Sequence, residues 1–137
     1  MGVRRKAREA ALKILYSIDL NPCSGSDACK QILDYGQVPE STRDFTRQLV
    51  EDTMERLEQI DGYIQNASLK WDISRMAAVD RNVLRLAVSE LTGARPKPVR
   101  VVLNEAIELA KKFGGEESGT FVNGILDRIR IDLGMES

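Results

Sequence analysis

Residues 76–91, Met-Ala-Ala-Val-Asp-Arg-Asn-Val-Leu-Arg-Leu-Ala-Val-Ser-Glu-Leu, carry apolar side chains at Met76, Val79, Val83, Leu84, Ala87, Val88 and Leu91. Steps of three and four residues are the period of an α-helix. The apolar stripe is so wide that other elements must cover the helix on most sides, which predicts a central, buried helix. Outward from it the pattern stays helical. Upstream, Ser41-Thr42-Arg43-Asp44 opens a helix, with Ser41 or Thr42 suited to the N-cap. Its stripe of Phe45, Leu49, Thr53, Leu57, Ile60 and Ile64 runs as one helix to residue 66. Residues 4–19 place Ala7, Ala10, Ala11, Ile14, Leu15 and Ile18 on one face, and Asn21-Pro22 stops them. A short helix from about Asp27 to Tyr35 ends at Gly36 and Pro39. Downstream, Pro96 and Pro98 precede a helix over about Val99–Phe113, stopped by Gly114-Gly115. The last helix begins near Ser118 and carries Phe121, Ile125, Ile129 and Leu133. Val99–Leu103 is β-branched enough for a strand, but it flows into Glu105–Ala110, and the local sequence favours helix. The expected fold is all-α: about six to seven helices in two small bundles, near residues 1–66 and 67–137, packed into one domain.

Composition narrows the function. The chain has 137 residues, room for one compact domain. No segment approaches the roughly 20 apolar residues of a membrane span. The basic start has no apolar run behind it, so a cytoplasmic protein is expected. Histidine is absent, which removes His-based nucleophile pairs, His-ligated zinc and an imidazole base. The two cysteines, Cys23 and Cys29, cannot close a tetrahedral metal site and read as incidental thiols. No cofactor and no metal are expected. Net charge is −1, but residues 1–13 hold five cations against one anion, +4, which leaves −5 for the rest. A polar molecule of this kind suits an oriented partner.

Four stretches could carry function. Arg4, Arg5, Lys6 and Arg8 form a compact positive end whose functional reading is contact with a nucleic-acid backbone and whose bland reading is a solvated helix start. Cations at a helix N-terminus oppose the macrodipole, so something else must favour them. Glu105 and Glu108, with Lys112 four residues beyond, read as a helix surface pair rather than an acid–base or metal site. Gly124, inside the last helical stripe, suggests a close helix crossing, with Asn123 beside it to hydrogen-bond a backbone or a ligand. Phe121, at the first turn, stacks an unpaired base if it is exposed. Trp71 is expected to plug the gap between the two helical groups, and Asp80, Arg81 and Arg85 to form a polar, protein-binding face.

Taken together, Arg-Arg-Lys-Ala-Arg-Glu-Ala-Ala-Leu-Lys-Ile-Leu-Tyr over 4–16, Trp71 with Val79-Asp80-Arg81 and Leu84-Arg85-Leu86-Ala87, Asn104-Glu-Ala-Ile-Glu-Leu-Ala-Lys111 and Phe121-Val-Asn-Gly124 resemble the bacterial NusB family over essentially the whole chain. The resemblance implies an all-helical, non-catalytic transcription antitermination factor. Such a factor binds the boxA element of nascent ribosomal RNA together with NusE, a small-subunit ribosomal protein, in a complex with other Nus factors on RNA polymerase. By motif position it implies RNA contacts at Arg4, Arg5, Lys6 and Arg8 and, in a second region, at Glu117, Ser118 and Phe121. Tyr16, Asp80 and Arg81 match the side that docks NusE.

Rival readings are an accessory RNA-binding domain of an RNA cytosine-5 methyltransferase and a generic helical interaction domain. A helix-turn-helix repressor needs a basic recognition helix, and residues 99–113 carry three cations bunched mostly at one end against two anions. A carboxylate metalloenzyme needs a Glu-x-x-His motif, which a chain without histidine cannot supply.

Overall fold

The computed structural model describes residues 2–22, 25–35, 38–94 and 97–135. Among these, seven α-helices and no strand are present: α1 (Val3–Leu20), α2 (Gly25–Lys30), α3 (Glu40–Glu55), α4 (Leu57–Ala67), α5 (Ala78–Thr92), α6 (Val99–Gly114) and α7 (Glu116–Asp132). A π-helical turn, Gln31–Tyr35, continues α2, and a 3-10 turn, Ile73–Arg75, precedes α5. The Val99–Leu103 segment is helical, so periodicity prevails over β-branched content. Gly36, Pro96 and Cys23, each singled out above, lie outside the described residues. Cys29 is half-buried, and burial pushes its thiol pKa up.

Helix α5 is the centre of the molecule. It packs against α1, α3, α4, α6 and α7, and Val83, Leu84, Leu86, Val88 and Leu91 are all but fully buried. On α1, Ala7, Ala10 and Ala11 are buried beside Ile14 and Leu15, and small side chains on that face let the helix axes approach closely.

The predicted helix over 41–66 is two helices. The chain breaks at Arg56 (φ −115°, ψ 24°), and α4 packs against α5 and α7. Periodicity runs through the break unchanged, because the cause is tertiary. The Arg56 guanidinium donates to the Ser89 carbonyl at 2.9 Å and to the Thr92 hydroxyl at 2.9 Å, placing a cation on the terminal carbonyls of α5. The expected N-cap also shifts: α3 starts at Glu40, and the Thr42 hydroxyl donates back to the Pro39 carbonyl at 2.7 Å.

Two further expectations are corrected. Trp71 is 54% exposed and plugs nothing. Arg81 donates to the carbonyls of Ile73 and Met76, which draws in the loop so that Ile73 and Met76 meet the core. Gly124 is exposed, and a Cβ built on it meets nothing within 4 Å. The close crossing is at Gly119, where a Cβ would lie 2.6 Å from Lys111 Cγ. Gly115, at φ +93°, makes the tight link between α6 and α7 in backbone geometry that disfavours a side chain.

Gly119→Ala is therefore expected to lower stability by about 1–3 kcal/mol through overpacking. Gly124→Ala, at an open helical position, should raise it by about 0.5–1 kcal/mol. Urea denaturation of both variants checks this; equal effects would refute the assignment of the crossing to Gly119.

Candidate nucleic-acid interface

The four N-terminal cations do not share one environment. Arg8 is buried: its Nε and one terminal nitrogen each donate at 2.9 Å to the two carboxylate oxygens of Glu90 on α5. Arg8 therefore does not belong to the solvent-facing cluster expected from the sequence, because burial and the bidentate pair turn it inward. Arg5, half-buried, donates to Glu105 on α6 at 3.0 Å, and that carboxylate raises the Arg5 pKa. Arg4 and Lys6 are exposed. Neither forms an ion pair among the described residues, and Arg4 lies over the Phe45 ring, 5.4 Å from its centre. These contacts answer the macrodipole puzzle: Arg5 and Arg8 sit at the start of α1 because acidic partners on α5 and α6 receive them.

The carboxylates are shared along a line. Lys97 approaches Glu90 at 3.5 Å, Glu90 holds Arg8, Arg8 comes within 3.8 Å of Glu105, and Glu105 holds Arg5. The order is cation, anion, cation, anion, cation. Glu105 is thus a tertiary partner rather than a member of a surface pair within α6, and Lys112 pairs with Glu9 of α1 at 2.9 Å.

Along the α1–α6 seam, beyond the Glu9–Lys112 pair, Lys13 and Lys112 lie 5.9 and 5.6 Å from the centre of the Phe113 ring. One residue on, the Gly114 carbonyl accepts from the Ser118 hydroxyl at 3.1 Å. The seam so connects the N-terminal cations to the start of α7, where Glu117 is exposed and Ser118 and Phe121 are half-buried. Phe121 packs one side against the core. Sequence reading missed Lys13 and Phe113; the signal available was an aromatic residue one position before the helix-stopping glycines.

Tyr16 is exposed, and Arg81 and Arg85 are largely committed to the fold. Arg81 and Asn82 both donate to Asp19 of α1, at 2.8 and 2.9 Å, while Arg85 holds Asp61 of α4 at 2.8 and 2.9 Å. Asp80 is buried, and its Oδ1 has no hydrogen-bond partner. Among the described residues no group of three or more His, Cys, Asp or Glu could hold a metal ion, and no helix is long and apolar enough to cross a membrane.

A model of the NusB family matches residues 5–130. The chain belongs to the NusB family. Transcription antitermination protein NusB of Trichlorobacter lovleyi is 46% identical over 129 residues, covering 94% of this chain and 91% of its own. That of Geotalea daltonii is 45% identical over 141 residues, covering 97% of each. Among solved structures, NusB of T. maritima matches with a TM-score of 0.84 at 38% identity, over 94% of this chain and 91% of that one. A chain from the crystal structure of antitermination factors NusB and NusE in complex with dsRNA matches at 0.87 with 30% identity, over 96% and 98%. The all-α arrangement expected from periodicity is the NusB fold.

Removing Arg8 strands a buried carboxylate, so Arg8→Ala should cost about 3–5 kcal/mol, whereas Arg4→Ala should stay within about 0.5 kcal/mol of the parent. Equal urea midpoints for the two variants would contradict the buried pair. A second expectation concerns acid. Burial raises the Asp19 pKa, but hydrogen bonds from Arg81 and Asn82 and the charge of Arg85 outweigh it and leave the carboxyl below its ordinary value. The unfolded chain therefore protonates first as pH falls. Asp19 stabilises fully above about pH 5, and its contribution declines below that until the folded carboxyl is itself protonated. Melting temperatures across this range should fall less steeply for Asp19→Asn than for the parent; parallel curves would contradict the shift.

Proposed function

We propose that this protein is a non-catalytic, RNA-binding transcription antitermination factor. It binds boxA of nascent ribosomal RNA together with NusE, and joins other Nus factors on RNA polymerase in the cytoplasm. The whole chain, 1–137, acts as one RNA-binding domain in which the two helical groups meet at α5. The observation that carries the reading is the exposed start of α1, where Arg4 and Lys6 have no carboxylate partner among the described residues and stand beside the half-exposed Arg5. The likeness to a chain crystallised with NusE and dsRNA supports the same partners here.

RNA runs from the start of α1 along the α1–α6 seam to the start of α7. Arg4, Arg5 and Lys6 hold phosphate, Ser118 supplies a hydroxyl, Phe121 offers its outer edge to a base, and the anionic Glu117 restrains the path rather than attracting it. Arg8 positions this surface from below. NusE docks on the side of Tyr16, Asp80 and Arg81, where Tyr16 is exposed and Asp80 lies buried on α5.

Fluorescence anisotropy of a labelled boxA-like RNA, with a scrambled RNA as control and with or without NusE, tests the reading. Selective binding strengthened by NusE is expected, with a logarithmic salt slope of about −2 to −3 for about three or four phosphate contacts on a single strand. The double variant Arg4→Ala, Lys6→Ala should weaken RNA binding and leave NusE binding intact. Equal, weak binding to both RNAs irrespective of NusE would overturn it.

A further inference from the structure

A groove of about 730 Å³ lies between the start of α1, one face of α3 and the end of α5, within the size range of small-ligand sites. Its α3 wall presents Phe45, Gln48 and Asp52, a spacing of three and seven residues that puts all three on one helix face. Opposite stand Arg4 and Lys97, with cationic groups 5.4 and 5.3 Å from the centre of the Phe45 ring. The floor is already satisfied: Glu90 holds Arg8 and Lys97, and Arg56 caps α5. Arg4, Gln48, Asp52 and Glu55 are different. All four line the groove and are exposed, and none has a side-chain hydrogen bond or ion pair among the described residues.

We propose that this groove holds one guanine nucleotide of a single-stranded RNA, its base stacked over Arg4, its phosphate beside Lys97 and its Watson–Crick edge on Asp52 and Gln48. The proposal rests on the RNA-binding reading above and adds a base-specific site to it. An ionised carboxylate only accepts. Guanine alone among the four bases presents two adjacent donors, N1–H and the N2 amine, which one carboxylate takes as a pair. Adenine and cytosine set an acceptor next to their donor, and uracil flanks its single donor with carbonyls. The Gln48 amide donates to guanine O6. Arg4, lying over Phe45, supplies the cationic plane on which bases stack. Arg4 is also the outermost arginine of the N-terminal cluster, so the groove continues the proposed RNA path. The groove carries Asp52 and Glu55 as well as Arg4 and Lys97, so it is the donor pair of guanine matched to a carboxylate, with the cationic plane of Arg4 beside it, that selects the occupant.

The test uses short oligouridines carrying a single guanosine, moved stepwise along the strand, against the same oligonucleotides with inosine, which lacks the N2 amine. Anisotropy is measured with the parent protein and with Asp52→Ala, a substitution on an exposed helix face whose melting temperature confirms folding. At one register the parent should bind inosine about tenfold more weakly than guanosine. At that register Asp52→Ala should bind both equally and more weakly than the parent binds inosine, because inosine keeps its N1–H bond to Asp52 and the variant has neither bond. If guanosine and inosine bind the parent alike at every register while RNA is still held, the groove is not a base site and the RNA-binding reading stands. If neither these oligonucleotides nor a boxA-like RNA binds, with or without NusE, both readings fall. If Asp52→Ala leaves RNA binding untouched but weakens capture of NusE, the groove belongs to a protein partner and the proposal is overturned.

Discussion

Arg8 and Glu90 have side chains only 4% exposed each, and two ions so far out of water are tolerated only with close, complete pairing. Desolvation costs several kcal/mol per ion, and the bidentate geometry at 2.9 Å, with Glu105 and Lys97 close by, is what offsets it. The pair acts over the whole molecule because it sets both the rotation and the register of α1. With Arg8 on α5 and the alanine face of α1 inward, Arg4 falls on the α3 side and Arg5 on the α6 side. At the far end of α1, Asp19 meets Arg81 and Asn82. Since Arg8 pairs with residue 90 and Asp19 with 81 and 82, α1 runs antiparallel to α5 and is tied to it at both ends.

The helices were legible in the sequence because their cause is local. Apolar residues at three- and four-residue steps, with glycine and proline between the runs, locate the long elements to within a few residues, except that α3 and α4 read as one helix. What was illegible has a non-local cause. Nothing near Arg56 marks a break, since the groups that hold it there are the carbonyls and hydroxyls of residues 89 and 92. Trp71 has the composition of a core residue, and only the grip of Arg81 on the neighbouring carbonyls explains why Ile73 is inside and Trp71 outside. Gly119 and Gly124 are indistinguishable as letters on one helix; which of them faces Lys111 depends on how α7 rolls against α6.

The candidate site divides in the same way. That cations gather at the start of α1 is plain from composition, and so is their conflict with the helix dipole. Which of them face water is not, because Arg5 and Arg8 find their carboxylates 100 and 82 residues away. Lys13 and Phe113 likewise meet across the α1–α6 seam. Phe121 was open between exposed and buried, and the structure places it between the two.

This division bears on how such a surface holds RNA. The line Lys97, Glu90, Arg8, Glu105, Arg5 contains three cations and two anions, so two of the five N-terminal cations, Arg5 and Arg8, are neutralised within the fold. Arg4 and Lys6 remain, with Lys13 and the partly committed Lys112 beside Phe113. Each single-strand phosphate neutralised contributes roughly 0.7 to the salt slope, so under the proposed function a surface this small holds RNA of any sequence weakly, on a molecule whose net charge is −1. Weak general attraction makes selectivity easier to achieve, because background binding does not mask base contacts. Under the proposed function it also gives the second protein a physical role: by extending the surface, that protein supplies further contacts to the RNA. By linkage, RNA then tightens the protein pair by the same factor as the partner tightens RNA binding. The internal ion pairs that make α1 rigid are, on this reading, also what make the protein dependent on a partner.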